Sequence, residues 1–187
     1  MQRLDLVRAK RSIASFAELV GWPLTPWQAK ALEFKARTTV IVAGRQMGKS
    51  RSLAIAAVFW AFRRSKQRVL IVSAGEDASR RLLATVREIV TGSPLLAGSV
   101  VDESAALVTL SNSSEIRSVP ASEKQVRGWS ADLLLVDEAA FVDEDLLLGA
   151  AFPTVSARPK GRIVLASTPR GALGAFYRSA MSGEGGS

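Results

Sequence analysis

Two stretches of this chain carry the residue types and spacing to hold a triphosphate and its metal ion. The first is Ala43-Gly44-Arg45-Gln46-Met47-Gly48-Lys49-Ser50, between an apolar run, Thr38-Thr39-Val40-Ile41-Val42, and a helix-like segment, Arg51 to Phe62. Strand, glycine-bearing loop, Gly-Lys-Ser and helix form the phosphate-binding loop of nucleotide hydrolases. Backbone N–H groups of Gly44, Arg45, Gln46, Met47 and Gly48 would converge on phosphate oxygens, and the helix N-terminus adds a partial positive charge. Gly48 lets the backbone come close, Lys49 would contact the β- and γ-phosphates, and the Ser50 hydroxyl would ligate Mg²⁺. The usual first glycine is replaced by Ala43, with Gly44 one place later. An ordinary basic turn between strand and helix is the competing reading.

The second stretch is Leu133-Leu134-Leu135-Val136-Asp137-Glu138, an apolar strand ending in two acids. Ligands of open α/β sheets bind at the carboxyl ends of strands. Asp137 there would hold Mg²⁺, through water, and Glu138 would polarise the attacking water. A capping acidic pair for a following helix is the alternative. The nucleotide reading needs the strand tips near Ala43 and Val136 to lie side by side, so that Lys49 and the two acids share one pocket.

Three further segments could serve that pocket. Trp22-Pro23-Leu24-Thr25-Pro26-Trp27-Gln28 precedes the first strand, and the Gln28 amide could read an adenine edge while an aromatic ring stacks on the base. A core tryptophan pair with an exposed glutamine fits equally simply. Ser167 and Thr168, in Leu165-Ala166-Ser167-Thr168-Pro169-Arg170-Gly171, could hydrogen-bond Glu138 or the γ-phosphate. Pro169 and Gly171 also suit a plain strand-ending turn. Arg127 lies ten residues before Asp137. An arginine finger is worth roughly 10³–10⁵ in rate, but a solvated surface arginine would read the same in sequence.

These groups need a scaffold, and the pattern supplies one. Arg68 to Ser73, Asp132 to Val136 and Arg162 to Ala166 are short, continuously apolar runs, as expected of strands covered on both faces. Leu107–Leu110 and Glu115–Val119 flank the turn Ser111-Asn112-Ser113-Ser114 as a hairpin. Helices are expected over 3–20, Trp27 to Phe34 with Thr25 as cap and Pro26 first, Lys49 to Arg64 and Asp77 to Val90. The Lys49 helix is apolar nearly all round and should be well buried. The alternation gives an α/β fold: three layers, with helices on both faces of a mostly parallel central sheet.

The chain has 187 residues, 48% of them apolar, which suits a single domain over 1–187. It has no cysteine or histidine, excluding disulfides, the usual zinc ligands and Ser-His-Asp or Cys-His catalysis. No apolar run is long enough to span a bilayer. The net charge of +8 is uneven: residues 1–70 hold fourteen Lys/Arg against three Asp/Glu, residues 71–187 eleven against fourteen. That front half suits a polyanionic partner such as nucleic acid, or serves only as solubility charge. Low complexity is confined to the tail, Ser182 to Ser187.

Trp27-Gln28, Gly44-Arg45-Gln46-Met47-Gly48-Lys49-Ser50, Val136-Asp137-Glu138-Ala139-Ala140 and Ser167-Thr168-Pro169-Arg170-Gly171 together resemble the ATPase domain of the large terminase subunit of tailed bacteriophages. The resemblance runs from about Trp22 to Gly171 and implies a P-loop NTPase of the additional-strand, catalytic-glutamate type. It implies ATP and Mg²⁺ as cofactors, Lys49 and Ser50 as triphosphate and Mg²⁺ contacts, and Arg45 as a nucleotide-sensing arginine. Asp137 and Glu138 become metal carboxylate and catalytic base, Ser167 and Thr168 the coupling motif, and Arg127 a candidate trans-acting finger. Its implied partners are double-stranded DNA, a portal protein, a small terminase subunit and further copies in a ring, in the cytoplasm of a bacterial host. An isolated domain could be monomeric. A helicase-like translocase and a non-catalytic nucleotide- or DNA-binding remnant remain as alternatives. The chain ends sixteen residues after Gly171, so the family's C-terminal nuclease domain and its activity are not expected of it.

Overall fold

The computed structural model describes residues 3–169 together with Phe176, Arg178, Ala180 and Met181. The basic N-terminal segment is two helices, α1 (Arg3–Arg11) and α2 (Ile13–Leu19), where the sequence suggested one. Ser12 causes the break. Its backbone is extended and its hydroxyl accepts the Ser15 N–H at 3.3 Å, capping α2. Helix α3 (Pro26–Ala31) starts as expected, in a capping box in which Gln28 Oε1 accepts the Thr25 N–H at 3.0 Å. It ends three residues before Phe34.

Strand β1 (Thr38–Val42) leads through the glycine-bearing loop into α4 (Lys49–Arg63). Then come β2 (Arg68–Ser73), α5 (Glu76–Gly92), β3 (Val100–Ser104), β4 (Leu107–Leu110) and β5 (Glu115–Pro120). Strand β3 was not foreseen: its face is almost wholly exposed, so it lacks the apolar pattern that marks a strand. Short helix α6 (Glu123–Val126) precedes β6 (Leu133–Asp137). The segment after β6 folds as short turns: a 3₁₀ turn (Ala139–Phe141), α7 (Glu144–Leu146), a π-turn (Leu147–Ala151) and α8 (Pro153–Ser156). Strand β7 (Arg162–Ser167) follows.

The strands form one sheet in the order β1-β7-β6-β2-β5-β4-β3. The first five run parallel; β4 and β3 are antiparallel additions. Alternate residues of each inner strand serve opposite cores. Val69, Ile71, Leu133 and Leu135 face a cluster formed with α1, α2, α4 and α5, while Leu70, Val72, Leu134 and Val136 face one formed with Val142, Leu146, Ala150 and Val155. This is the expected three-layer architecture. Ser52 to Ala61 of α4 are all buried, because that helix packs on the sheet and is covered by α1, α2 and α5.

One expectation needs correction. β1 and β6 are not neighbours: β7 lies between and pairs with both. That intervening strand is the feature the additional-strand type implies, and it inserts Ser167 between the loop and the acidic pair. Beyond β7, Phe176 is buried in the second core and Arg178 pairs with Glu144. Arg170, Gly171 and residues 182–187 lie outside the described residues. Among the described residues no helix is long and apolar enough to cross a membrane.

Candidate nucleotide site

Parallel pairing puts the carboxyl ends of β1, β7 and β6 at one edge of the sheet, here called the tip. The loop from Ala43 to Gly48 emerges there and turns into α4. Gly48 has φ of +76°, a left-handed conformation, and a Cβ on it would meet Gln28 Nε2 at 2.8 Å. Only glycine satisfies both constraints. Gln46 is also left-handed, at φ 62°. Gly44, Arg45, Gln46 and Met47 are exposed, open to a ligand above the loop.

Lys49 opens α4 and is buried, with its ammonium donating to the carbonyls of Ala43 at 3.0 Å and Gly44 at 2.9 Å. The charge is held inside the loop that would cradle phosphates. Ser50, one residue on, donates its hydroxyl proton to Asp137 Oδ2 at 2.8 Å. This bond joins residues 87 positions apart and ties the start of α4 to the end of β6. Asp137 also accepts the Glu138 N–H at 3.1 Å. Burial raises the Asp137 pKa above the usual carboxylate value, with the Glu138 charge adding to the rise and the Ser50 bond and Lys49 charge opposing it. A buried carboxylate facing a serine hydroxyl is a hard-oxygen pair that fits Mg²⁺, which takes few protein ligands and completes its shell with phosphate and water.

Glu138 takes the left-handed conformation, φ 52° and ψ 45°, at the turn leaving β6. Such backbone in a non-glycine residue costs of order 1 kcal/mol and clusters at functional sites. Its Oε2 accepts from the Ser167 hydroxyl at 3.1 Å, the Thr168 hydroxyl at 3.3 Å and the Thr168 N–H at 3.4 Å. The β7 turn therefore contacts the acid directly.

Other candidates are placed differently. Gln28 is buried and faces the protein: its Nε2 donates to the Met47 carbonyl at 3.1 Å and the Gly48 carbonyl at 3.4 Å, while Oε1 serves Thr25. It braces the loop, a role the sequence did not suggest; the only hint was a glutamine at the third helical position of a capping box. Trp22 and Trp27 pack against the first core, both half-buried, and Arg51 lies over the Trp22 ring at 4.9 Å. Arg127 caps the end of α6, largely exposed, and pairs with Glu123 at 3.2 Å rather than with the loop or the acidic pair.

A phosphate loop, an acidic strand tip and a strand inserted between them define the class: the ATPase motor domains of the P-loop fold. Over residues 40–177 the chain matches the family model described as the helicase domain of the RNA cytidine acetyltransferase NAT10/TcmA, and it belongs to that family. Among solved structures it is similar to the large terminase ATPase domain of Thermus phage P74-26, with 26% identity and a TM-score of 0.73 over 87% of this chain and 71% of that one. It is also similar to the large terminase of bacteriophage HK97, with 17% identity and a TM-score of 0.73 over 95% of this chain and 42% of that one. The large terminase of a thermophilic bacteriophage, in complex with ATP-gamma-S, matches at 17% identity and TM-score 0.67, over 86% of this chain and 42% of that one. At that identity the latter two carry the fold alone, and the chain spans less than half of each.

Proposed function

We propose that the chain is the ATP-hydrolysing motor domain of a DNA-packaging terminase, coupling ATP turnover to movement of double-stranded DNA into a prohead. The Ser50–Asp137 hydrogen bond carries this reading, because it joins the two halves of the nucleotide site. Mg²⁺ would be held by Ser50 and Asp137, where it would neutralise charge on the phosphates. Lys49 would leave the Ala43 and Gly44 carbonyls for the β- and γ-phosphates, and the N–H groups of Gly44 to Gly48 would cradle the same oxygens. Glu138 would leave Ser167 and Thr168 to orient the attacking water, and that exchange of partners would report nucleotide state to β7. Arg45 would sense the γ-phosphate from the exposed side of the loop. Arg127, facing outward, would act on a neighbouring copy's site within a ring. Portal protein and small terminase subunit are the partners this reading carries, in the cytoplasm of a bacterial host.

A helicase-like translocase is the second reading, favoured by the family match over residues 40–177. Strand unwinding by the chain would support it; ATP turnover stimulated by duplex DNA without unwinding supports the packaging motor. The site itself is tested by two variants. Lys49→Ala should lose ATP binding and turnover together. Glu138→Gln should keep binding and lose turnover by roughly 10²–10⁴-fold; wild-type turnover in Glu138→Gln would remove that residue from the mechanism. Specific activity should rise with protein concentration and collapse in Arg127→Ala. Constant specific activity with a fully active Arg127→Ala rejects action between copies.

A further inference from the structure

The edge of the sheet opposite the nucleotide site, its foot, holds a second concentration of charge that the proposed chemistry does not use. Arginine leads into three of the parallel strands: Arg37 precedes β1, Arg68 opens β2 and Arg162 opens β7. Helix α4 ends at the same edge on Arg63, followed by Arg64, and the turn before β7 adds Arg158 and Lys160. Between these elements lies a cleft of about 670 Å³ lined by Trp60, Arg63, Arg64, Arg158, Lys160 and Arg162.

The two carboxylates lining the cleft are already engaged. Asp132 pairs with Arg158 at 3.6 Å and accepts the Arg68 N–H at 2.9 Å, while Glu33 pairs with Lys35. Among the described residues no carboxylate forms an ion pair with Arg63, Arg64, Lys160 or Arg162. Two of these four are nonetheless fixed in position. The Arg63 guanidinium lies 4.1 Å from the centre of the Trp60 ring, and Arg162 donates to the carbonyls of Phe34, Lys160 and Gly161, each at 3.2 Å.

A helix C-terminus favours nearby cations, and that accounts for Arg63 and Arg64. It does not account for Lys160 and Arg162, which arrive on a different element and crowd the same space. Burial, then the charges of Arg64 and Arg162, lower the Arg63 pKa from the usual guanidinium value. Four like charges held together, none of them in an ion pair among the described residues, make a site suited to an anion.

We propose that this cleft binds the sugar–phosphate backbone of a nucleic acid and is the surface by which the motor touches its track, an assignment that rests on the motor reading above. Pre-positioned guanidinium forks match phosphate oxygens in paired hydrogen bonds. An acidic protein is the weaker fit. Protein interfaces carry an apolar core, and none of the exposed large apolar side chains, Val42, Met47, Val101, Phe141 and Leu148 among them, lines the cleft. Phosphate-binding surfaces are polar and basic. Arg63 and Arg64 reach the cleft from the end of α4, and Lys160 and Arg162 from the turn into β7 and its first residue, so two separate elements present cations to the same space.

The test uses the double variant Arg64→Ala/Lys160→Ala, whose side chains are exposed and make no hydrogen bond or ion pair among the described residues. Arg81→Ala/Lys124→Ala removes the same charge from α5 and α6 as the control. Affinity for a short DNA duplex is measured by fluorescence anisotropy between roughly 50 and 200 mM salt, with thermal unfolding to confirm folding. The cleft variant should bind roughly tenfold more weakly at low salt, with the slope of log affinity against log salt shallower by about 1–2, and the control should match the unaltered chain. Equal loss in both variants, loss in neither, or no duplex binding by the unaltered chain overturns the proposal. So does polyglutamate competing as well as DNA at equal charge, which would point to an acidic protein partner. ATP turnover is followed in parallel. Turnover with DNA affinity untouched in the cleft variant sinks this inference alone, whereas no turnover at any protein concentration sinks the motor reading.

Discussion

Tip and foot of the same sheet treat charge in opposite ways. At the tip each acting group has a partner within the chain: Lys49 on two carbonyls, Asp137 on Ser50, Glu138 on Ser167 and Thr168. At the foot four cations share a cleft with no carboxylate of their own among the described residues. The tip is thus a closed set of bonds, and on the proposed function a nucleotide would have to exchange them to bind. At the foot Arg162 rests on carbonyls and Arg63 on the Trp60 ring, but neither meets a carboxylate among the described residues, so on the proposal above phosphate binding there would have a strength set by salt.

The contrast can be broken at either end. The largest effect belongs to the tip: Glu138→Gln should lower turnover by roughly 10²–10⁴-fold while the salt dependence of DNA affinity stays that of the unaltered chain. A shift in both would show that the ends are not separable. Next is Gly48→Ala, which combines left-handed backbone, unfavourable by about 1–2 kcal/mol for a side-chain-bearing residue, with the contact against Gln28 Nε2. Thermal unfolding should show the loss, and nucleotide binding should fall with it. Adding Gln28→Ala should relieve the contact but not the backbone strain, so recovery would be partial; full recovery would remove the conformational argument. The cleft variant Arg64→Ala/Lys160→Ala follows, with roughly tenfold weaker duplex binding and unchanged basal turnover. The smallest effect is on stability. Asp137→Asn removes a buried carboxylate and should stabilise the ligand-free chain by about 1 kcal/mol, while ending Mg²⁺-dependent nucleotide binding. Destabilisation in denaturant titrations would mean that the Ser50 bond outweighs the burial of charge.

Much of the tip could be read from the sequence because its elements are local. The phosphate loop fits within eight residues, and Asp137 and Glu138 follow four apolar residues that mark their own strand. The strands β1, β2, β6 and β7 stood out through continuous apolar runs, and α4 through apolar residues on every face. Sequence failed where the signal is weak or the partner distant. Strand β3 is nearly all exposed, so nothing in its pattern separates it from a loop. The turns from Ala139 to Ser156 are each too short for helical periodicity to show. At Gln28 the sequence offered an adenine contact or an exposed glutamine beside a tryptophan pair, because a capping-box glutamine carries no mark that its free amide end will reach a loop nineteen residues on. The foot was invisible for the same reason: Arg63, Arg64, Lys160 and Arg162 lie nearly a hundred positions apart in two groups, and only a basic front half hinted at a site.

By itself, the sequence determined the chemistry available to this protein: which residues could hold phosphate, metal and water, and which runs must be buried. Backbone propensity and apolar spacing act over a few residues, so they are written into short stretches of chain. Tertiary structure decided adjacency: that β7 enters between β1 and β6, that Ser50 meets Asp137, that Glu138 rests on Ser167 and Thr168, and that arginines from separate elements gather at one edge. Those outcomes depend on strand order, which is set by how whole layers bury their apolar faces and not by any local pattern.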